Sequence, residues 1–312
     1  MPKPPQAAQP STAAMRDGVM VSTVIDWFAS EARDLPWRRE DCSPWGVLVS
    51  EIMLQQTPVA RVEPIWREWM LRWPTPAALA ASTQADAVRA WGRLGYPRRA
   101  QRLWECARAI VERHGGVVPG GDAALGEAEL LALPGVGDYT AAAVRAFAFG
   151  QRAVVLDTNI RRVIGRAWHG KPLPAAHLAR PEREFAAALV PAAAADAVAW
   201  SAGSMELGAL VCAARVAKCE ECPLAAECAW RAAGKPGLDE APRRTQAWHG
   251  TDRQVRGRIL AVLRAASAPV NVTGLAVLED IEPGQLDRCL GSLVEDRLIA
   301  LVENDKGAYV LG

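Results

Sequence analysis

Lysine is nearly absent from this 312-residue chain: of 36 basic side chains only Lys3, Lys171, Lys218, Lys235 and Lys306 are lysines, and none lies between positions 4 and 170. Chemistry that needs a side-chain amine as nucleophile has no lysine candidate in that stretch. Long apolar runs are missing too, which argues against a membrane span and for a cytoplasmic protein, nucleoid-associated if bacterial. Residues 1–21 lack the apolar centre of a signal peptide and are expected to form a disordered tail. Strand-like alternation is almost absent before residue 297, so the first 230 residues read as all-α. A net charge of only +1 decides nothing about a polyanionic partner, because binding depends on where charge sits. From Arg61 to Arg113 ten arginines face five acids, a surplus that suits phosphates or simply a solvated helix face.

Apolar residues make up 50% of the chain, enough for two or three packed units. Val88, Trp91 and Leu94, then Leu103, Ala107, Ile110 and Val111, recur at helical spacing before the stop at Gly115-Gly116. Further helices are expected at 22–32, 44–56, 61–73, 76–80, 84–94, 127–132, 138–149, 158–168, 182–190 and 194–211. The twelve tryptophans read as helix-packing residues. A Gly-, Pro- and charge-rich stretch at 233–252 reads as a linker. Beyond it, helices at 253–266, 272–279 and 284–296 precede two strands around a glycine-containing turn, an order that resembles a winged helix.

Cys212, Cys219, Cys222 and Cys228 are spaced C-x6-C-x2-C-x5-C. Four thiols so close in a cytoplasmic chain point to a metal site rather than disulfides. Zinc favours two short pairs separated by a longer loop, whereas one short pair with wider arms, followed by Pro223, suits a [4Fe–4S] cluster better. Cys42, Cys106 and Cys289 are isolated and read as buried small residues.

In "LPGVGDYTA", Gly135, Val136 and Gly137 lead into a helix. Such a turn leaves amide groups free at a helix start, a geometry that binds a DNA phosphate. That segment, the downstream "VLDTNIRRV" and the cysteine loop together resemble the helix-hairpin-helix DNA glycosylases that carry an iron–sulfur loop. Upstream, "LPWR", "SEIMLQQTPV" and "LGYPRRA" resemble the adenine glycosylase branch, which removes adenine mispaired with 8-oxoguanine. The likeness runs from about Trp27 to Trp230.

The resemblance implies an all-α, two-lobed glycosylase core, with a six-helix domain over 43–152 and a cluster domain built from 22–42 plus 153–232, followed by the winged-helix-like 253–312. Double-stranded DNA holding A:8-oxoguanine or A:G mispairs is the implied partner, and a monomer is expected. Within the superfamily Tyr139 discriminates, since the lyase branch carries a lysine there and tyrosine forms no Schiff base; a monofunctional enzyme follows.

Cleaving an N-glycosidic bond calls for a proton on the leaving base and a negative charge beside the cationic sugar. Glu51 is a lone carboxyl in an apolar helix, where desolvation favours the protonated acid; the resemblance implies that it protonates adenine. Asp157 is placed to cap the helix carrying Arg161 and Arg162. By resemblance it stabilises the sugar cation and Asn159 orients it. Thr158 stands where adenine glycosylases often have glycine.

For DNA reading, the resemblance implies that Gln56 enters the base stack and Tyr96 intercalates beside the orphaned partner base, with Thr57, Leu94 and Arg161 in the same surface. Trp37 and Arg38 are expected to line the adenine pocket. The β-rich domain with a Phe-Ser-His element that many relatives use for 8-oxoguanine has no counterpart here. Two rivals stay open: a pyrimidine glycosylase/lyase of the endonuclease III type, and a non-catalytic iron–sulfur winged-helix regulator.

Overall fold

A computed structural model describes residues 12–237, 249–275, 281–282, 284–302, 305 and 307–312. In chain order the helices are α1 (Thr12–Glu31), α2 (Pro44–Leu54), α3 (Val59–Arg72), α4 (Pro76–Ala80), α5 (Gln84–Ala90), α6 (Arg98–His114), α7 (Gly126–Leu131), α8 (Asp138–Phe149), α9 (Thr158–His169), α10 (Arg180–Leu189), α11 (Ala194–Leu210) and α12 (Ala229–Ala232). The C-terminal module follows with α13 (Asp252–Ala265), β1 (Val270–Asn271), α14 (Val272–Leu275), α15 (Gln285–Glu295), β2 (Ile299–Leu301) and β3 (Ala308–Leu311). No described helix is long and apolar enough to cross a membrane.

The chain divides into two compact units, Met1–Asp34 with Ala142–Pro242, and Leu35–Ala141 with Arg243–Gly312. In the first, α11 packs against α1 and α9, and α12 against α9. Gly208 makes the α9 crossing possible: a Cβ there would stand 2.7 Å from the Asn159 Cβ and 2.9 Å from its carbonyl oxygen. The Glu206 carboxylate, 1% exposed, is held by Arg33 through Nε at 2.6 Å and Nη2 at 2.7 Å. Burial of that charge is tolerated because the pairing is bidentate.

In the second unit α2 packs on α3 and α6, and α6 also carries α4 and α5. Tryptophans fill the gaps edge to face, Trp69 against Trp73 at 4.8 Å and against Trp91 at 5.6 Å. Their indole N–H groups end on backbone carbonyls, as with Trp45 on Trp73 and Trp66 on Gly46. The module's sheet is antiparallel in the order β1-β3-β2, with Tyr309 opposite both Val270 and Leu301.

Several sequence expectations are corrected. The first helix begins at Thr12 rather than 22, so residues 12–21 are helical and not a disordered tail; Met20 and Val21 are buried. Gly18 and two valines weaken the helix propensity of that run, and packing of Met20 and Val21 holds it helical. The helix expected to 94 ends at Ala90, where a turn with Gly92 at φ +54 replaces its last residues. β1 was missed because two residues are too few for alternation to register. Most of the linker and residues 276–279 of the expected 272–279 helix lie outside the described residues. Cys106 and Cys289 are buried as expected, but Cys42 is only half-buried.

Candidate active site

Glu51 sits in α2, a helix buried at every position from Trp45 to Met53, and is itself 5% exposed. Ser43 caps this helix by accepting from the Gly46 N–H at 3.2 Å, with Pro44 at its first turn, so the start is fixed and Glu51 falls two turns in. The Tyr139 hydroxyl, from the first turn of α8, donates to Glu51 Oε2 at 2.7 Å. Gln55 joins the same two helices through Nε2 on Thr140 Oγ1 at 3.4 Å.

The turn entering α8 depends on one glycine. Gly135 has φ +79 and would place a Cβ 3.1 Å from that of Arg102, so a side chain there meets both backbone strain and crowding. Gly137 is in an ordinary conformation with open space around it. Leu133 and Val136 are buried anchors under the turn, while Gly135, Gly137 and Asp138 face solvent.

In the first unit Asp157 caps α9. Its Oδ1 accepts from the Ile160 N–H at 2.7 Å, and its Oδ2 accepts from Asn159 Nδ2 at 2.6 Å. Burial raises the Asp157 carboxyl pKa, and the Ile160 and Asn159 donors oppose that rise without cancelling it. Arg162 fixes the asparagine from the other side, donating Nη2 to Asn159 Oδ1 at 2.8 Å and to the Gly208 carbonyl at 2.7 Å. Its Nε donates to the Cys212 carbonyl at 2.7 Å, so a continuous chain of hydrogen bonds joins Asp157 to the cysteine loop.

Cys212, Cys219, Cys222 and Cys228 line one small cavity with Trp230 and Arg231. Burial pushes the Cys222 thiol up to about 12, and Cys212, Cys228 and Cys219 push it the same way, which places the four thiols within reach of one another's charge. Among the described residues no three His, Cys, Asp or Glu side chains are drawn together tightly enough for a single metal ion. Arg166 braces the loop, donating to Cys212 Sγ at 3.4 Å and to the carbonyls of Ala213 and Ala214, with its guanidinium 4.3 Å from the Trp230 ring centre.

The residues expected to read DNA divide. Gln56 and Tyr96 are exposed, and both hold φ in the left-handed region, +55 and +48, conformations that cost on the order of 1–3 kcal/mol. Thr57 and Leu94 lie beneath them: they are 6% and 3% exposed, and Thr57 Oγ1 donates to the Leu94 carbonyl. The Arg161 guanidinium donates to Glu182 at 2.7 and 2.8 Å and to the carbonyls of Ala175 and His177. Trp37 is buried with its ring 5.7 Å from Trp66, and Arg38 is half-buried beside it.

Sequence reasoning missed Arg99. Its Nη1 donates to the carbonyls of Ile52, Met53 and Gln55 at the end of α2, and its Nη2 to Thr57 Oγ1 and the Gly95 carbonyl. Burial pulls this guanidinium down to about 10, still protonated at neutral pH. The side chain thus joins the segment holding Gln56 to the one holding Tyr96; the second arginine of "LGYPRRA" was the signal.

Hairpin, buried glutamate and capping aspartate define a class before they define a member. The model of the HhH-GPD superfamily of base excision DNA repair proteins matches residues 49–185. A solved thermostable thymine-DNA glycosylase superposes with a TM-score of 0.63 at 30% identity, covering 72% of this chain and all of that one. A non-covalent endonuclease III–DNA complex superposes with 0.60 at 20% identity, covering 73% and 100%, which speaks to the fold alone.

The adenine DNA glycosylase of Mycobacterium tuberculosis is 51% identical over 279 residues, 89% of each chain. The chain belongs to the adenine DNA glycosylases, base excision repair enzymes that hydrolyse N-glycosyl bonds.

Proposed function

We propose that this enzyme excises adenine opposite 8-oxoguanine or guanine in double-stranded DNA, acting as a monofunctional glycosylase and a monomer. The observation that carries the monofunctional reading is Tyr139: its hydroxyl rests on Glu51 at 2.7 Å, and lysine is absent from 4 to 170. Glu51 delivers a proton to the departing adenine, with the Tyr139 hydroxyl fixing the carboxyl's orientation. Asp157 supplies the negative charge that stabilises the cationic sugar, and the Asn159 amide holds it in place. The target base must leave the stack at a cost of a few kcal/mol, which Gln56, exposed on a strained bend, helps to offset. Amide groups at the Gly135–Gly137 turn take a backbone phosphate.

The four cysteines would hold a [4Fe–4S] cluster. The donor set fits: four thiols ring one cavity, and a cationic arginine touches a sulfur. Such a cluster would supply a structural staple; the proton delivery and charge stabilisation belong to Glu51 and Asp157. The domain layout of a cluster-bearing lobe, a six-helix lobe and a winged-helix-like C-terminal module belongs to the same reading.

Borohydride treatment of the enzyme on abasic DNA tests the chemistry. A monofunctional enzyme gives no reductively trapped adduct, and strands break only after alkali. A trapped adduct would mean that an amine attacks the sugar, as in the lyase branch.

A further inference from the structure

The C-terminal module is tied to the helical body of its own unit at several points. Arg264 Nε, on α13, donates to the Val88 carbonyl at 3.0 Å, and burial lowers its pKa. Gln84 donates to the Arg297 carbonyl, and Arg98 pairs with Asp296 at 3.4 Å, a carboxylate that also holds Arg256. β3 packs against α5. These ties bring the first turn of α13 to the bend at Gly95-Tyr96, where the Arg253 guanidinium carbon lies 4.9 Å from the centre of the Tyr96 ring. Arg99 lies over the same ring at 5.2 Å.

Tyr96 is an unusual place for two arginines to meet. Its backbone is strained at φ +48, yet the side chain is 44% exposed, so the strain is not repaid by burying the ring. The backbone is held firmly, with the Arg99 N–H donating to the Tyr96 carbonyl at 2.9 Å and Trp91 Nε1 to the Gly95 carbonyl at 2.8 Å. An exposed aromatic ring with guanidinium groups over it is a stacking platform for an unpaired base. Arg253 adds a planar, donor-only fork suited to a purine edge. Guanine offers O6 and N7 as acceptors on that edge, whereas oxidation at C8 turns N7 into a donor and adds O8 as an acceptor. A side chain that only donates separates these two purines by where their acceptors lie.

We propose that Arg253 is a specificity-determining residue for the base opposite the excised adenine, so that the C-terminal module takes part in telling 8-oxoguanine from guanine. The proposal rests on the reading of Tyr96 as the residue beside that orphaned base. Arg253 holds the Tyr96 ring, and its guanidinium meets the purine stacked beside that ring.

The test is single-turnover adenine release by the full-length, iron-loaded enzyme from duplexes with A opposite 8-oxoguanine and A opposite G, for the parent, R253A, R253K and Y96A. The result expected is that R253A and Y96A each lower the ratio of the two rates by roughly three- to tenfold. R253K, which keeps the charge without the planar fork, lowers the ratio as R253A does. An equal loss on both duplexes with R253A would make the side chain a phosphate contact and overturn the proposal. A changed ratio in Y96A with none in R253A would overturn it while leaving the reading of Tyr96 intact. Unchanged ratios in Y96A, whatever R253A does, would remove the reading on which the proposal stands.

Discussion

The Tyr139 hydroxyl ends 2.7 Å from Glu51, and that contact gives two separable expectations. Glu51→Gln removes the transferable proton and is expected to slow adenine release by about 10²- to 10⁴-fold. Tyr139→Phe removes only one hydrogen bond to the protonated acid and should cost about two- to tenfold, in rate rather than duplex affinity, as a bond between neutral groups contributes about 0.5–1.5 kcal/mol. Single-turnover release beside an affinity measurement distinguishes them; an affinity loss in Tyr139→Phe would make the tyrosine a DNA contact instead. Asp157 gives a pH expectation with a definite sign. Its pKa is raised, chiefly by burial, so the charged form proposed to stabilise the sugar cation is lost as pH falls through a value above the ordinary aspartate range of about 4. The acid limb of the release rate therefore lies above that range. Asn159→Ala deletes a donor that favours the charged form, and it should move the limb to still higher pH. A limb that stays put would show that the asparagine does not tune Asp157.

Where the helices cross, the small side chains set what the acids can do. At Gly208 a methyl group would stand 2.7 Å from the Asn159 Cβ. Gly208→Ala must push α9 away from α11 and is expected to destabilise the fold by about 1–3 kcal/mol, read as a lower Tm, and to slow release by displacing Asp157. A variant with parental Tm and rate would mean that α9 and α11 yield at no cost. The starts of α2, α4 and α9 could be read from the chain because Ser43, Thr75 and Asp157 cap at positions followed by apolar periodicity. Residues 12–21 could not, since Gly18 and the adjoining valines carry little local helix preference and only packing decides the segment. The same limit explains Thr57, Leu94 and Arg161: their motifs are legible, but only folding decides whether a side chain faces water or its neighbours. Arg99 illustrates the converse, a residue whose five acceptors come from segments more than forty positions away or from the preceding bend.

For the molecule as a whole, the hairpin was the most legible feature, because a glycine fixes a turn without help from tertiary context, and the four closely spaced cysteines do line one cavity. The contact of Arg253 with Tyr96 was invisible, being made by residues 157 positions apart in sequence, a separation no local pattern encodes. Cys222→Ser is expected to yield protein depleted in iron and acid-labile sulfide, with a lower Tm, because a bound cluster contributes to folding only while its ligands are complete. Full iron content in that variant would place the cluster elsewhere or reduce Cys222 to a bystander.

The measurement that bears most directly on the enzyme's function is base release from duplexes holding A opposite 8-oxoguanine, A opposite G, and T or U opposite G, with strand breaks scored before and after alkali. Adenine should be released, fastest opposite 8-oxoguanine, with breaks only after alkali. Release of T or U in preference to adenine, or breaks without alkali, would contradict the account.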